Sequence, residues 1–396
     1  MKKILAMLLA LVMVMGLVAC GGNAPETTAP AAPAETNPAE STPAETNAPE
    51  VSDVEYKIAM ITDYGDITDQ SFNQTTYEAV KAFAEANGVA YNYYKPSGDS
   101  TAERVAMVDA AIVDGYNVIV MPGFAFGETL VEVADVYPEV KFVALDVAEG
   151  EGGFAATENV FSAVYQEELS GYMAGVAAVK LGYKHLGYLG GMAVPAVKRF
   201  GYGFLQGVDA AAKELGIVGD IKVEYVYGNQ FYGDADITAV MDTWYGEKGV
   251  ECVFACGGGI WSSAAEAAAK VGGKVIGVDV DQAAIIDGAY GEGMTVTSAM
   301  KGLAPTVNDV LTAIVLEDNW AAYAGKIETL GLVSADPEAN YVQIPMASTQ
   351  FAEGFTAEDY SALVAAMFEG TVTVSNDIEN FPTTEVAVEQ YADIKG

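Results

Sequence analysis

Basic residues are scarce in this chain: 19 Lys and Arg stand against 55 Asp and Glu, giving a formal net charge of −36. A nucleic-acid partner is excluded on that ground, because neutralising phosphates takes a concentrated basic surface. His185 is the only histidine, and cysteine occurs only at Cys20, Cys252 and Cys256. No His/Cys group has zinc-ligand spacing. His185 opens an apolar strand-like run instead of ending one, which is the wrong place for Ser–His chemistry. Cys252 and Cys256 fall on one side of a strand about 13 Å apart, beyond disulfide reach, and read as buried free thiols. A long membrane-spanning run is missing too. The apolar stretch 4–19 behind Met1-Lys2-Lys3 is roughly 16 residues, short of the about 20 that cross a bilayer.

That stretch reads as an export signal over 1–19, closed by Leu17-Val18-Ala19-Cys20. The tetrapeptide resembles the bacterial lipobox, which implies that Cys20 becomes the mature N-terminus and carries acyl chains that anchor the protein on the extracytoplasmic face of the membrane. Residues 21–53 hold six prolines and six acidic residues with no Lys, Arg or aromatic. Such a segment cannot bury enough apolar surface to offset its ordering entropy, so 20–53 is expected to be a disordered tether with a reach on the order of 30 Å or more.

From Tyr56 onward, β-branched runs alternate with amphipathic stretches: strands at 56–62, 117–122 and 141–146, helices at 72–87, 102–114 and 127–137. The alternation then restarts with a long helix over 162–181, strands at 185–191, 222–228, 251–256 and 274–281, and helices at 196–215, 234–245 and 261–271. The expected fold is α/β with two doubly wound, Rossmann-like lobes. The expected division is 54–160 plus about 288–335 for lobe 1, and about 161–287 plus 336–396 for lobe 2. Strand 295–301 and the helix after it are placed in the first lobe.

In open α/β sheets, ligands bind outside the carboxyl ends of the strands, and the unusual residues gather there. Asp63 ends the first strand, ahead of Ser71-Phe72-Asn73 at a helix start, where Ser71 and Gln74 could form a capping box. Pro122-Gly123-Phe124, Asp146, Tyr227 to Phe231, Gly257-Gly258-Gly259 and Asp279-Val280-Asp281 end others. Asp63, Asp66 and Asp69 lack the alternate spacing of a calcium loop, so Asp66 and Asp69 read as turn and cap residues and no metal is expected. Phe72 could be core or a stacking ring, and Asp281 a ligand contact or a structural hydrogen-bonding group.

The segments DYGDITDQSFNQ, YPEVKFVALD, GYMAGVAA, GYLGGMAVPAV, GVDVDQ and TSAMK, in that order, resemble the basic membrane protein family, extracytoplasmic lipoproteins similar to the purine nucleoside receptor of bacterial ABC transporters. The resemblance implies a type I periplasmic-binding-protein fold, two lobes joined by a three-crossover hinge, with the ligand between them. It places the stacking pair on Phe72 and Phe231, with Tyr232 or Tyr227 as alternatives for the second ring. It places the edge reader on Asn73, carboxylates on Asp63, Asp146 and Asp279, and a cation on Lys301; Gly257, at the end of its strand, is a further candidate ligand-binding residue. Trp261 departs from the family pattern. The function implied is capture of a nucleoside, most simply a purine nucleoside, for delivery to an ABC permease, with no cofactor and no bond made or broken. The alternatives are the same fold holding a sugar for uptake or signalling, and a secreted nucleoside-processing enzyme. The enzyme is disfavoured because the chain has no dense N-terminal aspartate cluster.

Overall fold

The structure is a computed structural model that describes residues 54–396 apart from Tyr64. The export signal, Cys20 and the tether lie outside the described residues.

Short, buried apolar runs make the central strands, while the edge strands Ala90–Tyr94, Lys326–Leu330 and Ala387–Gln390 are half-buried or exposed. β1 (Lys57–Ile61), β2 (Ala90–Tyr94), β3 (Val118–Pro122), β4 (Lys141–Leu145), β5 (Val160–Tyr165) and β11 (Lys326–Leu330) form a parallel sheet in the order β11-β5-β4-β3-β1-β2. β6 (His185–Gly190), β7 (Lys222–Tyr227), β8 (Cys252–Cys256), β9 (Lys274–Asp279), β10 (Thr295–Lys301), β12 (Val342–Gln343) and β13 (Ala387–Gln390) form a second sheet, ordered β12-β10-β9-β8-β6-β7-β13. The two repeat one winding: second strand beside the first on one side, third beside the first on the other. Each therefore has a switch point, between β1 and β3 and between β6 and β8, where the chain leaves a crevice at the carboxyl edge. Apolar clusters cover both faces of each sheet, as parallel sheets require.

Helix α1 (Phe72–Asn87) shows how locally the sequence decides. Ala79, Val80, Phe83 and Ala84 bury one stripe, and Gly88 in the left-handed region (φ 68°) ends it with its N–H on the Ala84 carbonyl. At the other end Asp69, not Ser71, caps: its carboxylate accepts from the N–H groups of Ser71, Asn73 and Gln74 at 2.9–3.0 Å. The capping box expected from Ser71 and Gln74 is absent because the Ser71 hydroxyl is engaged elsewhere, as described below. Asp66 accepts from Thr68 N–H and hydroxyl in a turn.

Three assignments change. The stretch 162–181 is not one helix: β5 runs to Tyr165, and α4 (Glu167–Lys180) starts after Gln166. Both halves are buried on all sides, so neither alternation nor a helical stripe separates them. Residues 161–165 thus belong to the first sheet. β10, expected in the first lobe, pairs with β9 in the second. Only α9 (Leu303–Val315), packed with Ile58, Met60 and Val80, and β11, paired with β5, return to the first lobe.

The chain crosses between sheets at β5 to α4, at β10 to α9, and at β11 to β12. The crossings are laced together by backbone bonds: Gln166 N–H to Leu330 O (2.9 Å), Tyr341 N–H to Gly331 O (3.0 Å) and Gly302 N–H to Tyr341 O (2.6 Å). This is the three-crossover hinge. Behind it, α4 packs on α5 (Pro195–Leu215) backbone to backbone. A Cβ at Gly171, Gly175, Gly203 or Gly207 would stand 2.1–2.3 Å from a carbonyl oxygen of the facing helix.

Candidate functional site

The carboxyl edges of both sheets converge on one cavity of about 570 Å³, within the size range of small-molecule sites. Asp63, Phe72, Asn73, Asp146, Phe231, Gly257, Asp279 and Lys301, singled out in the sequence, all line it. Tyr232 lines it as well, 63% exposed at its edge. Tyr227 is not among the lining residues; its hydroxyl pairs with that of Tyr225 at 2.9 Å.

Asp146, just after β4, and Asp279, the last residue of β9, share a left-handed backbone, with φ 63° and 66°. A residue other than glycine pays strain there, and such strain collects at functional sites. Between them lies Lys301, buried at the end of β10. Its ammonium contacts the Asp146 carboxylate across the lobes and stands 3.5 Å from Glu167 and 3.7 Å from Asp279. Glu167, in the first turn of α4, also accepts from Arg199 Nε of α5 at 2.5 Å. Two cations and three carboxylates thus form one desolvated network. Burial alone would lower the lysine, but Asp146, Asp279 and Glu167 hold its ammonium well above the ordinary lysine range. Burial pushes the Asp146 carboxyl up, to about 7, against the pull of Lys301. Asp146 Oδ1 is buried with no partner among the described residues, leaving an acceptor for a hydroxyl of a bound molecule.

The apolar walls are aromatic. Phe72 is not bare: Lys301 Nζ stands 4.6 Å over its ring centroid. The Phe231 ring lies against the backbone of Gly191 and Gly257, where a Cβ would come within 2.4 and 2.9 Å of the ring. Gly257 has φ 149° as well, so both its conformation and its closeness to Phe231 require glycine. Trp261 opens α7 (Trp261–Val271) on the second lobe's wall, with its indole N–H buried and without a partner among the described residues.

Two contacts fasten the lobes at the mouth. The Ser71 hydroxyl donates to Asp279 Oδ2 at 2.6 Å, and Gln282 Nε2 donates to the Gln70 carbonyl at 3.0 Å. Ser71→Ala removes the first without altering the Asp69 cap. Ligand dissociation measured by stopped flow is expected to accelerate about fivefold, the worth of one hydrogen bond of roughly 1 kcal/mol, while the melting temperature of the unliganded protein changes little.

Sequence reading missed Glu167, Glu168 and Arg199. Their signal was there: two adjacent glutamates in the first turn of an otherwise apolar, Gly- and Ala-rich helix. Glu168 is 2% exposed, and one of its carboxylate oxygens has no partner among the described residues. Burial raises its carboxyl to about 7. Because the folded state holds this proton more tightly than the unfolded chain, the associated stability is full below about pH 4 and is lost as pH rises towards 7. Glu168→Gln is therefore expected to stabilise by about 1–2 kcal/mol at pH 8 and to make no difference near pH 4, read from urea melts at the two pH values.

Two crossover-linked, doubly wound lobes that close on a cavity lined by both sheet edges define a type I periplasmic solute-binding fold. Solved structures agree. An ABC transporter solute-binding protein from Aeropyrum pernix K1 superposes with TM-score 0.63 at 24% identity, over 82% of this chain and 88% of that one. One from Conexibacter woesei DSM 14684 gives 0.62 at 21%, over 81% and 99%. Residues 56–335 match the model of the Bmp family, described as ABC transporter substrate-binding protein PnrA-like, and the chain belongs to that family. It is 29% identical to the ABC transporter nucleoside-binding protein BmpA of Lactococcus lactis subsp. cremoris, over 58% of this chain and 65% of that relative's length. It is 27% identical to basic membrane protein B of Borreliella afzelii, over 70% and 78%. An uncharacterized lipoprotein of Pyrococcus abyssi is 29% identical over 46% and 44%. Among the described residues no helix is long and apolar enough to cross a membrane.

Proposed function

We propose that this protein binds a nucleoside, most simply a purine nucleoside, between its lobes and delivers it to an ABC permease while tethered to the membrane through lipidated Cys20. The observation that carries this reading is the pairing, in one cavity, of aromatic rings from opposite lobes with a desolvated Asp146–Lys301–Asp279 cluster. A purine has two apolar π-faces that Phe72 and Phe231 can cover, worth about 0.5–1.5 kcal/mol per ring beyond burial. A ribose diol offers two hydroxyl donors to an ionised carboxylate, and Lys301 can donate to a sugar oxygen. Asp63, Asn73 and Gly257 complete the enclosure. A free sugar has no π-face to lay against the two rings.

The work done is closure. A ligand that touches both lobes stabilises the closed form by its extra affinity for it, and the permease reads the closed form. The experiment is a thermal melt with added nucleoside. At a hundred times the dissociation constant the folded state gains about 2.7 kcal/mol, so the melting temperature rises for nucleosides and stays unchanged for free ribose. Stabilisation by ribose, or by no nucleoside, would overturn the reading. Incubated nucleoside is expected to be recovered intact.

A further inference from the structure

The second lobe's aromatic wall stands on a loop and not on a strand. Residues 228–234 join β7 to α6 (Ala235–Asp242) and bring Phe231 and Tyr232 to the cavity. On the cavity side the loop rests on two turns: the Asn229 N–H donates to the Gly191 carbonyl at 2.9 Å, and the Gly259 N–H to the Phe231 carbonyl at 2.8 Å. Asn229 has a left-handed backbone, φ 58°, which a residue other than glycine keeps only where its surroundings hold it.

The support behind the loop comes from far along the chain, beyond residue 335 where the family match ends. β13 adds in parallel to the outer edge of β7, and the chain then follows that edge towards the loop. Tyr391 N–H donates to the Tyr225 carbonyl and Ile394 N–H to the Tyr227 carbonyl, both at 2.9 Å. The Tyr391 hydroxyl also donates to the buried carboxylate of Glu224 on β7. Lys395 then takes hold of the loop at two points. Its carbonyl accepts from Asn229 Nδ2 at 3.1 Å, and its ammonium stands 2.8 Å from Asp234 Oδ2 and contacts Asp236. Asp234 is the junction. Its Oδ1 caps α6, accepting the N–H groups of Asp236 and Ile237 at 3.0 Å. Its Oδ2 also accepts from Gln230 Nε2 at 3.0 Å, and the same Nε2 donates to the Tyr232 carbonyl at 2.8 Å. The two aromatic residues therefore lie between two positions, 229 and 234, that are tied to one residue. Lys395 is not among the cavity's lining residues.

We propose that Lys395 is a positioning residue: it braces the 229–234 loop from behind and so sets where Phe231 and Tyr232 stand against a bound molecule. A loop ordered before binding spares the ligand the cost of ordering it. Ion pairs as exposed as these add little to global stability, so the brace acts on local opening of the loop. The effect on affinity rests on the nucleoside reading above; the effect on the loop does not.

The test compares Lys395→Met, Lys395→Arg and a control, Lys184→Met. The control removes an ion pair to Asp220 at 2.9 Å, at the opposite end of the same sheet. In the unliganded protein, amide hydrogen exchange over 228–236 is expected to quicken about threefold or more in Lys395→Met, with exchange in β6, β8 and β9 and the melting temperature unchanged. Calorimetry is expected to show purine nucleoside affinity weakened about threefold to fivefold, the scale of a partly exposed ion pair. Lys395→Arg is expected to restore both, and Lys184→Met to move neither. Unchanged exchange in the loop would overturn the proposal, as would faster exchange spread over the whole lobe with a lowered melting temperature. Faster loop exchange with unaltered nucleoside affinity would overturn the positioning of the rings. A parent protein that binds no nucleoside would overturn the nucleoside reading, and the exchange comparison would still decide the brace.

Discussion

Lys301→Met is expected to destabilise the protein by about 3 kcal/mol or more at pH 8 and to abolish ligand binding. Among the described residues the ammonium is the only cation that touches Asp146, Glu167 and Asp279 together; Arg199 pairs with Glu167 alone among the three. Removing one partner of a buried ion pair leaves an uncompensated charge, which costs far more than the intact pair contributes. The sign of the pH dependence follows. Without the ammonium, the orphaned carboxylates can relieve the cost only by taking up protons, so the loss shrinks as pH is lowered towards 5. Urea melts of both proteins at pH 8 and pH 5 check this. An equal deficit at the two pH values would mean that Lys301 matters for packing and not for charge.

The second large effect concerns the helix pair behind the hinge. Gly203→Leu places a side chain where even a Cβ would sit 2.1 Å from the Glu168 carbonyl oxygen. α4 cannot yield without moving Glu167 away from Lys301 and Arg199. Overpacking costs typically 1–3 kcal/mol where side chains can rearrange; here backbone meets backbone, so about 3 kcal/mol or more is expected, with weakened ligand binding. Gly219→Ala, where nothing lies within 4 Å of the added Cβ, should stay within about 0.5 kcal/mol of the parent. Thermal melts of the two variants separate a packing role for Gly203 from a general loss of glycine.

Much of this was legible beforehand wherever the cause is local. α1 and α7 were read with their observed bounds, since each has an amphipathic stripe and a terminal glycine. The strand ends were legible because the chain abandons apolar residues where it meets the cavity. The rest depends on distant partners. β2 is an edge strand, AYNYY, mostly exposed, so it lacks the apolar run that marks its neighbours. β10 has no local feature that chooses between two similar sheets; its pairing with β9 does. Ser71 reads as a helix cap until Asp279, 208 residues away, takes its hydroxyl. Asn73 was legible as a residue of the cavity wall, but the direction of its amide is set by Asp69 and Asp63 together.

The central claim, capture of a nucleoside by aromatic and charged walls from opposite lobes, is tested most directly by calorimetric titration of the purified protein and of Phe72→Ala with a purine nucleoside and with free ribose. The account predicts saturable one-to-one binding of the nucleoside, no binding of ribose, and affinity lost by about 1 kcal/mol or more in the variant with the fold intact. Binding of ribose alone, or nucleoside binding indifferent to Phe72, would contradict it.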